Sequence, residues 1–420
     1  MGSSSAATSN LTLPGASSPE LVLAHPTAAE RRHNWTLSHA MWGGMLTREQ
    51  YLEREAHLSS APALSRDGGL TTWILTLAGA QPDARPILSS CETLRKRALV
   101  ADGTVSREGG QVVVVEDGVA HGLGSVFTDP RFRGRGYAGR MMQEVGKALR
   151  SWQVDGKDDD DDDDGGKVAG RDDGRHVLFS VLYSDIGKSF YARRGWAPFE
   201  SSHATFPPSA AAAAETNNTV LRPITDADEI AELCVVDERL LRAKLVRRAG
   251  AGGRKCVALA PDAETMMWHM AREKFIMGRV FSGQTLPTVR GAVYGSPGRR
   301  IWALWTRWYY KEGNLLNILR LVVEDERDEA DSSSSSSSSS YLAEGVGAIL
   351  RLAQAEAAAW RCEDVQLWNP DAKLRGLIER SGVEHKFVDR DSASIASLMW
   401  YGDGNTWDID WIANEKFGWC

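Results

Sequence analysis

The sequence predicts an α/β protein built from two successive domains, each a mixed sheet with helices packed on it. Three observations predict this. The 420 residues exceed one ordinary domain and suit two of roughly 150–200 each. Both halves alternate short β-branched or aromatic runs with helical stretches. Tracts too polar to bury anything interrupt the chain between those runs, where only connections can lie.

Residues 1–30 are rich in Ser, Ala and Pro and are expected to lack structure. The first domain, 31–205, opens with a helix through Arg48-Glu49-Gln50-Tyr51-Leu52. Strands are expected at Thr71–Leu77, Pro86–Ser90, Gln111–Val115 and Gly122–Thr128. A glycine-rich turn and a helix, Tyr137–Trp152, follow. A disordered acidic insert, 154–174, precedes a strand at Val177–Leu182 and a short helix at Ser184–Arg194. The alanine-rich stretch 206–219 reads as a linker.

The second domain, 220–420, repeats the order: strands at Ile301–Tyr310 and Leu315–Val323, then a disordered Ser-rich insert at 326–340. A long helix (Tyr341–Trp360), a strand (Asp364–Trp368), a helix (Asp371–Ser381) and a final strand pair through Met399-Trp400 complete it. Met266–Glu273 reads as a buried helix with His269 in the core. The Trp-rich run Trp302–Tyr310 reads as a strand with one face in the core and the other against a neighbouring domain.

The composition excludes several classes. The net charge of −7 equals the run of seven aspartates, Asp158–Asp164, so the remainder is neutral and offers no basic face for nucleic acid. The five cysteines are scattered and form no CxxC or Cys/His cluster, so no disulfide framework or metal site is expected. Apolar runs fall short of the ~18 residues of a membrane span. A cytoplasmic protein with no membrane partner is expected; the oligomeric state is not legible.

The sharpest local signal is Phe127-Thr128-Asp129-Pro130-Arg131-Phe132-Arg133-Gly134-Arg135-Gly136-Tyr137-Ala138-Gly139. It follows a strand and opens a helix, a junction that presents unpaired N–H groups and the positive end of a helix dipole to an anion. Glycines at 134 and 136 would let backbone approach a phosphate closely. The segment is neither a Walker loop nor GxGxxG.

It resembles the acetyl-CoA pyrophosphate loop of the GNAT N-acetyltransferase superfamily, (Arg/Gln)-x-x-Gly-x-(Gly/Ala). Two registers fit, Arg131-x-x-Gly134-x-Gly136 and Arg133-x-x-Gly136-x-Ala138. The second is preferred because Pro130 and Phe132 then take the family's preceding Pro and aromatic places. The segment Leu182-Tyr183-Ser184-Asp185-Ile186-Gly187-Lys188-Ser189-Phe190-Tyr191-Ala192-Arg193-Arg194-Gly195-Trp196 is similar to the strand and helix that follow in that family. The resemblance implies a GNAT fold with a central mixed sheet, then a second GNAT-like domain lacking the CoA loop. It implies acetyl-CoA along Val126, Phe127 and Thr128, with pyrophosphate on Arg133, Gly134, Arg135, Gly136, Tyr137, Ala138 and Gly139, and a contact from Ser184. It also implies Tyr191 as the acid that protonates the departing thiolate, a role suited to a phenol at neutral pH. The general base stays open between His121, Glu92 and a chain of water.

Arg48–Glu55, Ser90–Thr93, Leu182–Gly187 and Trp411–Cys420 resemble the fungal lysine N-epsilon-acetyltransferase family. That resemblance implies free L-lysine as acceptor and a role in lysine catabolism. A peptide acetyltransferase and a catalytically silent CoA-binding module are the alternatives.

Overall fold

The computed structural model describes residues 13–105, 111–154, 176–211, 220–252, 254–311, 313–324 and 336–419. The expected acidic insert, most of the linker and the start of the Ser-rich insert lie outside them. Residues 13–30 depart from expectation. Leu21–Ala24 is a strand (β1) paired antiparallel with β2 (Leu70–Leu77). Leu21 and Leu23 turn apolar side chains to the sheet, which the Ser/Ala-rich average of the region conceals.

Two helices follow β1, α1 (Ala28–Trp42) and α2 (Arg48–Leu58). Each starts at a threonine, Thr27 or Thr47, closed in a capping box with Glu30 or Gln50. Such caps stabilise a helix by about 1 kcal/mol and fix where it begins. The strands β3 (Ser89–Val105) and β4 (Gln111–Thr128) form one long antiparallel ribbon, where two separate short strands were expected in the β4 region. Next come α3 (Tyr137–Ala148), β5 (Val177–Ser184), α4 (Ser189–Ala192), β6 (Ala197–Pro198) and β7 (Ser202–Phe206).

The second half supplies β8 (Leu221–Ile224), α5 (Ala227–Gly252), β9 (Lys255–Leu259), α6 (Ala263–Val280), β10 (Gly291–Tyr294), β11 (Ile301–Tyr310) and β12 (Gly313–Val323). It continues with α7 (Ser336–Ala359), β13 (Asp364–Trp368), α8 (Ala372–Arg380), β14 (Lys386–Asp389), β15 (Ile395–Trp400) and β16 (Ile409–Trp411). The long helix α7 begins at Ser336, inside the serine tract, because its Ala/Leu-rich body propagates the helix backward over residues of middling propensity.

The strands make two sheets of the same plan. The first runs β1-β2-β3-β4-β5-β15-β6 and the second β8-β10-β11-β12-β13-β7-β14. In each, the fourth and fifth strands are parallel and every other neighbouring pair on these paths is antiparallel. The sixth strand of each sheet comes from the other half: β15 lies between β5 and β6, and β7 between β13 and β14. The sheets therefore do not divide the chain at a single point. β9 adds to the outer part of β3 and carries β16 on its far side.

A shared apolar core lies between the halves, with Val181, Phe179 and Val257 meeting Trp302, Leu304 and Leu319. Trp305 points the opposite way, into the core beneath α7. The Trp-rich strand thus buries both faces.

Candidate active site

The site is set where β4 and β5 part. Their parallel pairing runs from Val119–Val177 to Leu123–Leu182 and stops there. Beyond that point β4 continues to Thr128 paired with β3, and β5 continues to Ser184 paired with β15. A wedge opens in the middle of the sheet. On the β3 side, Ser90 faces Phe127 and Glu92 faces Gly124, so Ser125 and Val126 stand opposite Cys91 alone. This is a β-bulge, and Ser125 takes φ +52° to make it. The bulge turns β4 away from β5. Ser89 fixes the arm, donating to the Phe127 carbonyl (2.8 Å) and lying 3.0 Å from the Thr128 hydroxyl.

At the end of the arm Asp129 caps a short 3₁₀ turn, Pro130–Phe132, and binds the Arg131 guanidinium. Arg131 is thereby occupied. Arg133, Gly134, Arg135 and Gly136 are exposed, and Arg133 donates from Nε to the Thr128 carbonyl at 3.2 Å. Gly134 and Gly136 have φ of +76° and +84°, the left-handed region that favours glycine. Gly136 is the N-cap of α3 and offers no side chain to the first-turn N–H groups, so these stay available to an anion. These residues fit a pyrophosphate.

The other residues expected around the loop are turned inward. Tyr137 is buried and donates from its hydroxyl to the Pro14 carbonyl at 2.7 Å. Gly139 leaves room for Arg194, whose guanidinium occupies the place a Cβ would take. Ala138 is half-buried. Ser184 closes a turn, donating to the Gly187 carbonyl at 2.7 Å, and α4 starts only at Ser189. The expected helix from Ser184 is shortened because Gly187 adopts φ +76°.

Tyr191, on α4, is buried on the α3 face of the sheet among Cys91, Leu123, Tyr137 and Met141. Burial pushes its phenol above the ordinary value, so it stays protonated. His121 lies on β4 one residue before the glycines that face the cavity. It is fully buried, shares a 3.3 Å hydrogen bond with Gln153, and is pushed down to about 4 by burial. It does not line the cavity described next.

That cavity, of about 120 Å³, lies on the α1/α2 face. Its floor is β4, where Gly122 and Gly124 alternate at period two and put no side chain in the way. Glu92, Ser125, Tyr51 and Glu55 line the first half's side; Trp268, Arg272, Tyr310 and Trp419 line the second's. Glu92 accepts from Trp35 Nε1 at 3.3 Å. Burial, and then the charge of Glu55, push its carboxyl up to about 7. Glu55 is itself ion-paired with Arg54, whose guanidinium also donates to the Trp42 carbonyl.

Of the two side chains named as base candidates, the structure brings Glu92 to the cavity. Glu55, Arg272, Tyr310 and Trp419 were not singled out by the sequence. A charged residue within the apolar stretch Met266–Ala271-Arg272 was the signal for one of them.

The sequence model of the family described as the LYC1 GNAT-like C-terminal domain matches residues 203–420. A curated relative, the lysine acetyltransferase of Yarrowia lipolytica, is 25% identical over 306 residues, covering 67% of this chain and 70% of that one. Among solved structures, a probable N-acyltransferase from Enterococcus faecalis superposes with a TM-score of 0.45 at 12% identity, over 91% of this chain and 72% of that one. A GCN5-related N-acetyltransferase from Anabaena variabilis superposes with a TM-score of 0.46 at 12% identity, over 91% and 73%. Through the match that takes in slightly more than half of its residues, the chain belongs to the LYC1 GNAT-like family and is an N-acetyltransferase of the GNAT type.

Proposed function

We propose that the protein moves the acetyl group of acetyl-CoA to a primary amine held in the cavity, the ε-amino group of free L-lysine. The observation that carries this reading is the placing of Glu92, a carboxyl raised to about 7 on the wall of a cavity floored by the diverging strand β4. Donor binding falls to the Val126–Thr128 arm and to the exposed turn Arg133–Gly136, with Arg133 and Arg135 as countercharges. Held there, acetyl-CoA supplies an activated acyl carbon.

Glu92 does the work on the acceptor. An amine enters as an ammonium of pKa about 10.4 and must lose a proton before it can attack. A carboxylate with pKa near 7 is a stronger base than an ordinary one, and the Trp35 N–H holds it in place. On the other face of the sheet, the buried Tyr191 hydroxyl holds the proton that a departing sulfur requires. Residues from both halves of the chain wall the cavity, which suits a small acceptor better than an extended peptide. A place in lysine catabolism in the cytoplasm belongs to the same reading and rests on the resemblance of the segments Arg48–Glu55 and Trp411–Cys420.

The test is release of free thiol from acetyl-CoA in the presence of free amines and of lysine-containing peptides, with the acetylated nitrogen located by mass spectrometry. Turnover with L-lysine and ε-acetylation support the reading. Preference for peptides, or release with none of the acceptors, would replace it with the peptide enzyme or the silent module.

A further inference from the structure

The cavity has a cationic end that the transfer chemistry does not use. Arg272, on α6, is 6% exposed and lines the cavity. Its Nη1 is buried without a hydrogen-bond partner, and Nη2 reaches only the Tyr310 hydroxyl, at 3.4 Å. Its guanidinium stacks on Trp308 (4.5 Å to the ring centre) and lies 5.7 Å from Trp419. Among the described residues no carboxylate pairs with it. Other buried guanidiniums are treated differently by this fold: Arg307 pairs with Glu273 at 2.9 Å, Arg320 with Asp237 at 2.7 Å, and Arg54 with Glu55. A buried charge left unpaired is costly, and the usual reason to keep one is a ligand that pairs it. Lys416 lies close by, with Nζ over Trp308 (3.8 Å), Trp368 (4.0 Å) and Trp419 (4.6 Å); burial, and then the charge of Arg272, hold its amine well below the ordinary lysine value. The nearby acidic charges are Glu55, already held by Arg54, and Asp185, which acts on Lys416 from a distance.

We infer that Arg272, with Tyr310 beside it, binds a free carboxylate on the acceptor, so that the substrate class is an amino acid rather than a simple amine or a residue within a peptide. The inference rests on the amine-acetyltransferase reading above and adds its specificity determinant. The cavity is then polar in a definite direction. Glu92 and Glu55, from the first half of the chain, receive the ammonium to be acetylated. Arg272, from the second half, receives the carboxylate, and the indoles of Trp268 and Trp419 cover the carbon chain between. A planar guanidinium with one edge unsatisfied is suited to a carboxylate, which can accept two parallel N–H bonds. The second half of the chain, which carries no pyrophosphate loop, thereby has a part in choosing the substrate.

The test compares L-lysine, L-lysinamide and cadaverine as acceptors for the full-length wild-type protein, then repeats the comparison with R272Q and R272K. Sites built to pair a polar group reject analogues that lack it, so kcat/KM for L-lysine should exceed that for either analogue by about 100-fold. In R272Q the lysine-to-cadaverine ratio should collapse toward one, chiefly through KM for lysine, and R272K should recover part of it. Equal use of all three amines by the wild type overturns the inference while leaving the acetyltransferase reading intact, and needs no variant to fold. An unchanged ratio in R272Q overturns it as well. Acetylation of none of the three overturns the functional reading itself, and the inference with it.

Discussion

The ammonium of Lys96 donates to the carbonyl of Gly418 at 3.0 Å across 322 positions of sequence. Lys96 lies on β3 four residues after Glu92, so alternation puts both on the cavity face of the sheet. The bond anchors the turn that delivers Trp419 to the cavity wall, and His269 makes a second anchor at the Phe417 carbonyl, 3.0 Å. Replacing Lys96 by Met keeps most of the volume and leaves the carbonyl unsatisfied, a loss on the order of 1–3 kcal/mol. KM for the acceptor amine should rise by about tenfold or more, corresponding to ~1.4 kcal/mol, while KM for acetyl-CoA stays put. Steady-state kinetics in both substrates checks this.

Gly136→Asp should act on the other substrate. At φ +84° any side chain is strained, though Asp tolerates this region better than most. The added carboxylate would face the N–H groups at the start of α3, where pyrophosphate is proposed to bind. Acetyl-CoA affinity measured by isothermal titration should fall by about tenfold or more, with the circular dichroism spectrum unchanged. Unaltered affinity in a folded variant would remove the loop from the donor site.

Glu92 makes a pH prediction with a definite sign. A base must be ionised, so kcat/KM should rise with pH through about 7 and then level off. Glu92→Gln should lower kcat/KM by about 10²–10⁴-fold and flatten that acid limb. Stability moves the opposite way. The folded pKa lies above the ordinary 4.5, so the favourable contribution of this carboxyl is complete below that value and is lost as pH rises through 7. Glu92→Gln should therefore melt higher than wild type at pH 8, with the gap closing near pH 5. Differential scanning calorimetry at the two pH values reads this directly.

Tyr191→Phe isolates the proton donor from the packing. The ring would keep its contacts with Phe190 and the α3 core. If the hydroxyl donates, the chemical step slows by about 10²–10⁴-fold with acetyl-CoA affinity little changed. Single-turnover kinetics should show it. Near-normal turnover would reduce Tyr191 to a core residue, since Phe conserves volume.

What was legible in the sequence follows from distance along the chain. The strand–turn–helix at 122–148 is written in consecutive residues, with Gly134 and Gly136 at its bend, and could be read directly. Most of β3 could not. The expected strand stopped at Ser90, and the charged residues Glu92, Arg95, Lys96 and Arg97 that continue it have partners from far away: Arg97 pairs with Glu238 at 2.8 Å and Lys96 with Gly418. Arg272 is similar. Its helix reads as buried, and only the folded chain reveals a guanidinium with no acid beside it. The strand exchange left no local mark, because nothing in the short runs of β7 (Ser-His-Ala-Thr-Phe) and β15 (Ile-Ala-Ser-Leu-Met-Trp) says which sheet each will join.

That exchange has a consequence for the life of the chain. As the ribosome makes this protein from its N-terminus, β5 appears long before β15, its neighbour in the sheet, and Trp419 appears last of all the cavity's walls. The first sheet must wait, with the edge of β5 open, until residues 395–400 emerge. Nascent chains are thus inactive by construction, and exposed to wrong pairing for about half of synthesis. A chain truncated after Phe206 should behave as a sticky fragment, incapable of turnover, rather than as a small enzyme.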